Sequence, residues 1–208
     1  MTYEEIIPFV NHLKTRLSSI SLGFKRYLYD RIDWNDRLIG IKGFRGVGKT
    51  TLLLQHIKEC FADNLQQVFY ASLDDLWFRK HSLTELVECL NAHDYKYLYL
   101  DEVHKYPDWA LSIKNIYDTY PSLNIVYTGS SLLEIDNSKV DLSRRQTFYS
   151  LEGMSFREYL EYMDIAAFSC AAAETPSATS AVTSNSSFFI GFYAERQRKL
   201  AAPAATSK

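Results

Sequence analysis

The chain is poor in cysteine: three in 208 residues, at Cys60, Cys89 and Cys170, with no C-x-x-C pair and an odd total. That argues against a disulfide framework or a thiolate zinc site, and a reducing cytoplasm is the expected compartment. Long hydrophobic runs are lacking too. None approaches the ~20 residues that a bilayer crossing needs, and Glu4 and Glu5 stand where a secretory signal carries basic residues. No membrane partner is expected. Nor is there an excess of one charge. With 23 Lys and Arg against 25 Asp and Glu, the net charge of −2 gives no whole-molecule case for nucleic acid, although it leaves a local basic face open. No repeat of roughly 20–50 residues is visible. The 15 tyrosines are scattered rather than gathered into a stacking platform.

What is present reads as a globular α/β chain. Hydrophobic residues make up 47% and charged residues 23%, the balance of a packed domain. Apolar positions Ile6, Val10, Leu13, Leu17 and Ile20 recur at helical spacing. A second helix is expected over Phe24–Ile32. Strands are expected at Leu38–Ile41, Gln67–Leu73, Tyr97–Leu100, Asn124–Tyr127 and Thr147–Leu151. Helices are expected over Thr50–Phe61, after Ser82, from Pro107 and after Ser155; Ser82 with Glu85 and Ser155 with Glu158 form capping-box patterns. Strands alternating with helices predict a parallel sheet covered on both faces. Three segments follow: an N-terminal helical segment (1–36), a core (37–164) and a tail (165–208). In that tail Ala171–Ser187 is too poor in large apolar residues to offset its ordering entropy, so disorder is expected.

The strongest motif is Gly43-Phe44-Arg45-Gly46-Val47-Gly48-Lys49-Thr50, a full match to G-x-x-x-x-G-K-S/T between a strand and a helix. Wrapping a polyphosphate in backbone N–H groups needs Gly43, Gly46 and Gly48, where a side chain would collide or φ must be positive. The helix that follows presents free amides and its positive dipole end to the anion. Lys49 supplies a point charge to the β- and γ-phosphates of ATP, Thr50 a hard oxygen for Mg²⁺, and Thr51 a hydrogen bond on the α-phosphate side. Arg45 bonds either loop carbonyls or a phosphate.

Downstream, Tyr97–Leu100 runs into Asp101-Glu102. A buried strand ending in adjacent carboxylates fits a pair in which Asp101 holds Mg²⁺ and Glu102 polarises the attacking water. At the tip of the Asn124–Tyr127 strand, Ser130 or Ser131 either senses the γ-phosphate or caps a short helix. Arg144-Arg145 either face solvent or supply transition-state charge. His104, Asp74 and Asp75 read as structural or solvated.

These segments resemble prokaryotic AAA-type P-loop ATPases that usually carry a C-terminal domain of unknown function. The resemblance rests on Arg37–Thr51, on Leu100-Asp101-Glu102-Val103-His104-Lys105-Tyr106-Pro107-Asp108-Trp109, on Thr128–Ser131 and on Ser155-Phe156-Arg157-Glu158-Tyr159-Leu160. It implies an AAA/RecA-like, five-stranded parallel sheet, with the Asn124–Tyr127 strand between the loop strand and the Asp101 strand. It also singles out Arg145, ten residues before Ser155. After Met163 the Ala/Ser/Thr tail stands where the resemblance implies a C-terminal region, so that region and a lid over the adenine are expected to be missing here. Mg²⁺-dependent ATP hydrolysis is thus the leading expectation. The alternative is an ATP-gated binding module for DNA or a protein partner with little turnover. A small-molecule kinase ranks behind both, because the Asp-Glu pair favours water as acceptor.

Overall fold

A computed structural model describes residues 1–129, 142 and 144–164. All fall within one compact unit, Met1–Ala167; the tail expected over 165–208, like Ser130 and Ser131, lies outside the described residues. In chain order the elements are α1 (Ile7–Ser19), β1 (Leu38–Lys42), α2 (Lys49–Phe61), β2 (Val68–Ser72) and α3 (Leu83–Ala92). Then come β3 (Tyr97–Asp101), α4 (Trp109–Thr119), β4 (Asn124–Gly129), β5 (Thr147–Ser150) and α5 (Phe156–Tyr162).

The five strands pair in parallel in the order β2-β3-β4-β1-β5, so β4 lies between the glycine-loop strand and the Asp101 strand as the resemblance implies. This is the P-loop NTPase arrangement. Period-two alternation sends Phe69, Ala71, Leu98, Leu100, Ile125 and Tyr127 to one face, where α3 and α4 cover them with Leu86, Leu90, Ile113 and Ile116. Ile39, Ile41, Tyr70, Tyr99 and Val126 face the other way, onto Leu53 and Ile57 of α2 and Leu13 and Leu17 of α1. Gly40 has no side chain because Phe148 and Tyr127 already fill the space; a Cβ there would sit 2.8 Å from the Phe148 ring. Being parallel, all strands deliver their C-terminal ends to one edge, where β1 opens into the glycine loop and β3 ends in Asp101.

Residues Phe24–Ile32 depart from the expected helix. Only Tyr29–Arg31 forms a single 3₁₀ turn; the rest is an irregular strap over α2. Side chains of α2 take up backbone carbonyls at its start and just before it. Gln55 Nε2 donates to the Ser21 and Phe24 carbonyls at 2.9 and 2.7 Å, and Lys58 Nζ to the Ile20 carbonyl at 2.6 Å.

Candidate functional site

The loop between β1 and α2 has three kinds of constraint. Gly43 is packed against chain: an added Cβ would lie 2.3 Å from the Leu151 carbonyl oxygen, which no rotamer can relieve. Gly46 and Gly48 are held by conformation, at φ +84° and +101°, the left-handed region that side chains disfavour. Lys49, the first residue of α2, is buried, and its ammonium donates to the Gly43 and Phe44 carbonyls, both at 3.0 Å. It thus lies across the loop that precedes it. Burial pushes the Lys49 pKa down, opposed by the carboxylates of Glu102 and Asp101.

The end of β3 meets this loop. Thr50 Oγ1 donates to Asp101 Oδ2 at 2.5 Å, joining the first turn of α2 to the buried carboxylate. Asp101 also accepts from Tyr70 on β2, at 3.1 Å, and from the fully buried hydroxyl of Thr128 on β4. Behind Tyr70 stands Arg16 of α1, whose Nη1 donates to the phenol oxygen at 2.8 Å. Burial pushes the Tyr70 phenol well up, with Asp101 adding to the effect, so the phenol stays a proton donor to Asp101.

Glu102 leaves the strand with φ +54°. This left-handed turn, uncommon for a residue with a side chain, breaks the alternation that would send the carboxylate into a core face. Its Oε1 lies 4.0 Å from Lys49 Nζ, its Oε2 3.5 Å from His104 Nε2, and its amide donates to Thr128 Oγ1 at 3.2 Å. His104 therefore stands beside the carboxylate rather than apart from the site.

Lys49, Thr50, Asp101 and Glu102 are thus brought together at one sheet edge. Phe44 and Arg45 are exposed on the loop and Thr51 on the first turn of α2. Arg145 goes elsewhere. Its Nε and Nη2 meet the Asp118 carboxylate at 2.9 and 3.2 Å, before β5 begins and where α4 ends. That is the opposite edge of the sheet, roughly 15 Å from the loop at the rise of an extended strand. Asp75 caps the 3₁₀ turn Leu76–Arg79 through the Trp77 amide at 2.9 Å, and Asp74 accepts from Ser72 at 2.7 Å.

Sequence reading missed Thr128, Tyr70 and Arg16. Strand order supplies the signal for the first two: β4 and β2 flank β3, and the pairings Leu100↔Tyr127 and Ser72↔Asp101 put their ends beside Asp101. Arg26 was missed as well. It is buried in the strap and bridges the glycine loop to the segment before α5, donating to the carbonyls of Val47, Glu152 and Gly153 and to Glu158.

The donor set suits a hard cation. Two oxygens, from Thr50 and Asp101, lie together, and among the described residues no cluster of three His, Cys, Asp or Glu side chains offers a separate protein cage. Mg²⁺ needs no more, since it keeps several waters and takes phosphate oxygens as ligands.

The AAA domain family matches residues 35–160. An uncharacterized protein of Methanocaldococcus jannaschii is 36% identical over 154 residues, which is 65% of this chain; the chain spans 32% of that relative's length. Among solved structures, the ADP complex of Hsp104 from S. cerevisiae is similar at 16% identity and TM-score 0.49, covering 73% of this chain and 25% of that one. PCH-2 from C. elegans is similar at 18% identity and TM-score 0.39, covering 73% and 42%. Both structural likenesses are too loose to carry weight. Among the described residues, no helix is long and apolar enough to cross a membrane.

Proposed function

We propose, from the premise that this chain belongs to the AAA domain family, that it binds ATP with Mg²⁺ at residues 43–51 and hydrolyses the β–γ phosphoanhydride. One observation carries the reading: Lys49, Thr50, Asp101 and Glu102 converge at the sheet edge where the glycine loop opens.

The roles follow from the chemistry of each group. Amides of Gly46, Gly48 and the first turn of α2, with the helix dipole behind them, hold the phosphates. Lys49 exchanges the Gly43 and Phe44 carbonyls for β- and γ-phosphate oxygens. Its lowered pKa marks a cation whose desolvation those anions would offset. Thr50 and Asp101 hold Mg²⁺, which neutralises charge on the phosphates. Tyr70 and Thr128 keep Asp101 in one orientation. Glu102 accepts a hydrogen bond from the attacking water and turns its lone pair toward the γ-phosphorus, in line with the leaving oxygen. Arg145, a sheet-length from the loop of its own chain, reaches a γ-phosphate only across a subunit boundary. Ser130 remains a candidate for sensing the γ-phosphate beyond Gly129.

The test is Mg²⁺-dependent phosphate release by wild type, Lys49→Ala and Glu102→Gln, with nucleotide binding measured alongside. Lys49→Ala is expected to lose binding. Glu102→Gln is expected to keep it and to lose turnover by roughly 10²-fold or more, the scale of a misplaced general base. Equal release by wild type and Lys49→Ala refutes the enzymatic reading. An ATP-gated binding module for DNA or a protein would instead keep its partner response in Glu102→Gln.

A further inference from the structure

We infer that Arg26 is a positioning residue for the phosphate loop, gripping the Val47 carbonyl so as to aim the Gly48 amide, with Glu158 as its anchor. This deepens the ATP-binding reading and rests on it.

The peptide joining Val47 to Gly48 sits in the glycine-rich turn just before α2. Val47 stands between Gly46 and Gly48, both at positive φ, and a Cβ on either glycine would meet nothing within 4 Å. Glycine's permissive torsions let the loop adopt its curve but do not fix it there. Arg26 adds a direct restraint from the strap, as its Nη1 donates to the Val47 carbonyl at 2.5 Å. In a planar trans peptide the carbonyl and the following N–H point in opposite directions. Holding Val47 O from the strap side therefore turns the Gly48 N–H to the other side, the concave face that takes phosphate.

The guanidinium is itself over-determined. Nε donates to Glu158 Oε1 at 2.8 Å, and Nη2 to the Glu152 and Gly153 carbonyls at 2.8 and 3.2 Å, with Glu158 Oε2 at 3.5 Å. Glu158 is fixed in turn by the amides of Tyr27 at 3.0 Å and Ser155 at 2.8 Å, and by the Ser155 hydroxyl at 2.9 Å. A planar fork of five donors can serve a carboxylate and three carbonyls at once; a lysine ammonium cannot. The direction of one loop amide is thereby tied to the 152–158 segment.

The variants are Arg26→Lys, which keeps the charge and loses the fork, and Glu158→Gln, which keeps Arg26 and loosens its anchor. Each is compared with wild type by titration with a fluorescent ATP analogue in Mg²⁺, by amide hydrogen exchange of residues 43–50 without nucleotide, and by thermal melting. Arg26→Lys is expected to weaken analogue binding roughly 10- to 100-fold, the span of a lost charge-assisted hydrogen bond. Exchange in the loop should quicken while β3 is unaffected; Glu158→Gln should move both readouts in the same direction by less. A lower melting temperature with analogue affinity within twofold of wild type and unchanged loop exchange would mean a merely structural role, and overturns the inference. A wild type that binds no analogue sinks the ATP reading, while loop exchange in Arg26→Lys still decides whether the grip exists.

Discussion

Acid should unfold this protein partly through one carboxylate, and Glu158→Gln should reveal it. Burial alone would raise the Glu158 carboxyl, but hydrogen bonds from Arg26, the Ser155 and Tyr27 amides and the Ser155 hydroxyl outweigh it. They hold the pKa at about 2 against an ordinary 4.5. Because the folded value is depressed, the stabilisation is complete above pH 4.5 and drains as the pH falls toward 2. A gap of about 2.5 units is worth about 3 kcal/mol at neutral pH, and about 2 kcal/mol of that is gone by about pH 3. Removing one partner of a buried ion pair costs roughly 3–5 kcal/mol by a separate route, so the two magnitudes agree. The assay is urea unfolding of both proteins at neutral and acid pH, followed by fluorescence of Trp34, Trp77 and Trp109. Glu158→Gln should be less stable by about 3 kcal/mol at neutral pH and by only about 1 kcal/mol near pH 3. His56, whose burial lowers its pKa to about 4, also destabilises the fold on acidification, but it is common to both proteins and cancels in the difference. A stability gap that stays constant across this pH range refutes the reasoning.

Two further outcomes are expected. Tyr70→Phe removes a donor to Asp101 and leaves Arg16 without its phenol, costing about 1–2 kcal/mol in stability; the Mg²⁺ concentration for half-maximal turnover should rise, while analogue binding without Mg²⁺ stays near wild type. Arg145→Ala should leave nucleotide affinity within about twofold, because the side chain lies at the far sheet edge, and should lower turnover per chain only at protein concentrations where subunits associate, as read by activity against dilution.

The parts of the site legible in the sequence are those carried by neighbouring residues. Gly43 to Thr50 announces itself because a loop that wraps phosphate needs glycines and a lysine at fixed offsets, and Asp101-Glu102 because adjacent carboxylates ending a buried strand are costly without a partner. Alternation along the strands was readable for the same local reason. Thr128 and Tyr70 were not, since nothing in their own segments shows that they flank Asp101 until strand order is known. Arg26 and Glu158 stand 132 positions apart, and only the folded chain makes them a pair. The Ser155–Glu158 pattern was correctly read as a helix cap, yet the same carboxylate also faces Arg26. Phe24–Ile32 misled because its aromatic and basic residues imitate an amphipathic helix, whereas Gln55 and Lys58 satisfy the neighbouring backbone from α2.

The family match begins at residue 35, and cutting the chain there would be a mistake. Leu13, Leu17, Tyr29 and Ile32 would go, leaving α2 alone to cover that face of the sheet. So would Arg16 and Arg26, leaving Tyr70 and Glu158 buried without their guanidinium partners. A fragment trimmed to the recognisable ATPase core should therefore aggregate or bind nucleotide poorly, and its failure would say nothing against the loop itself.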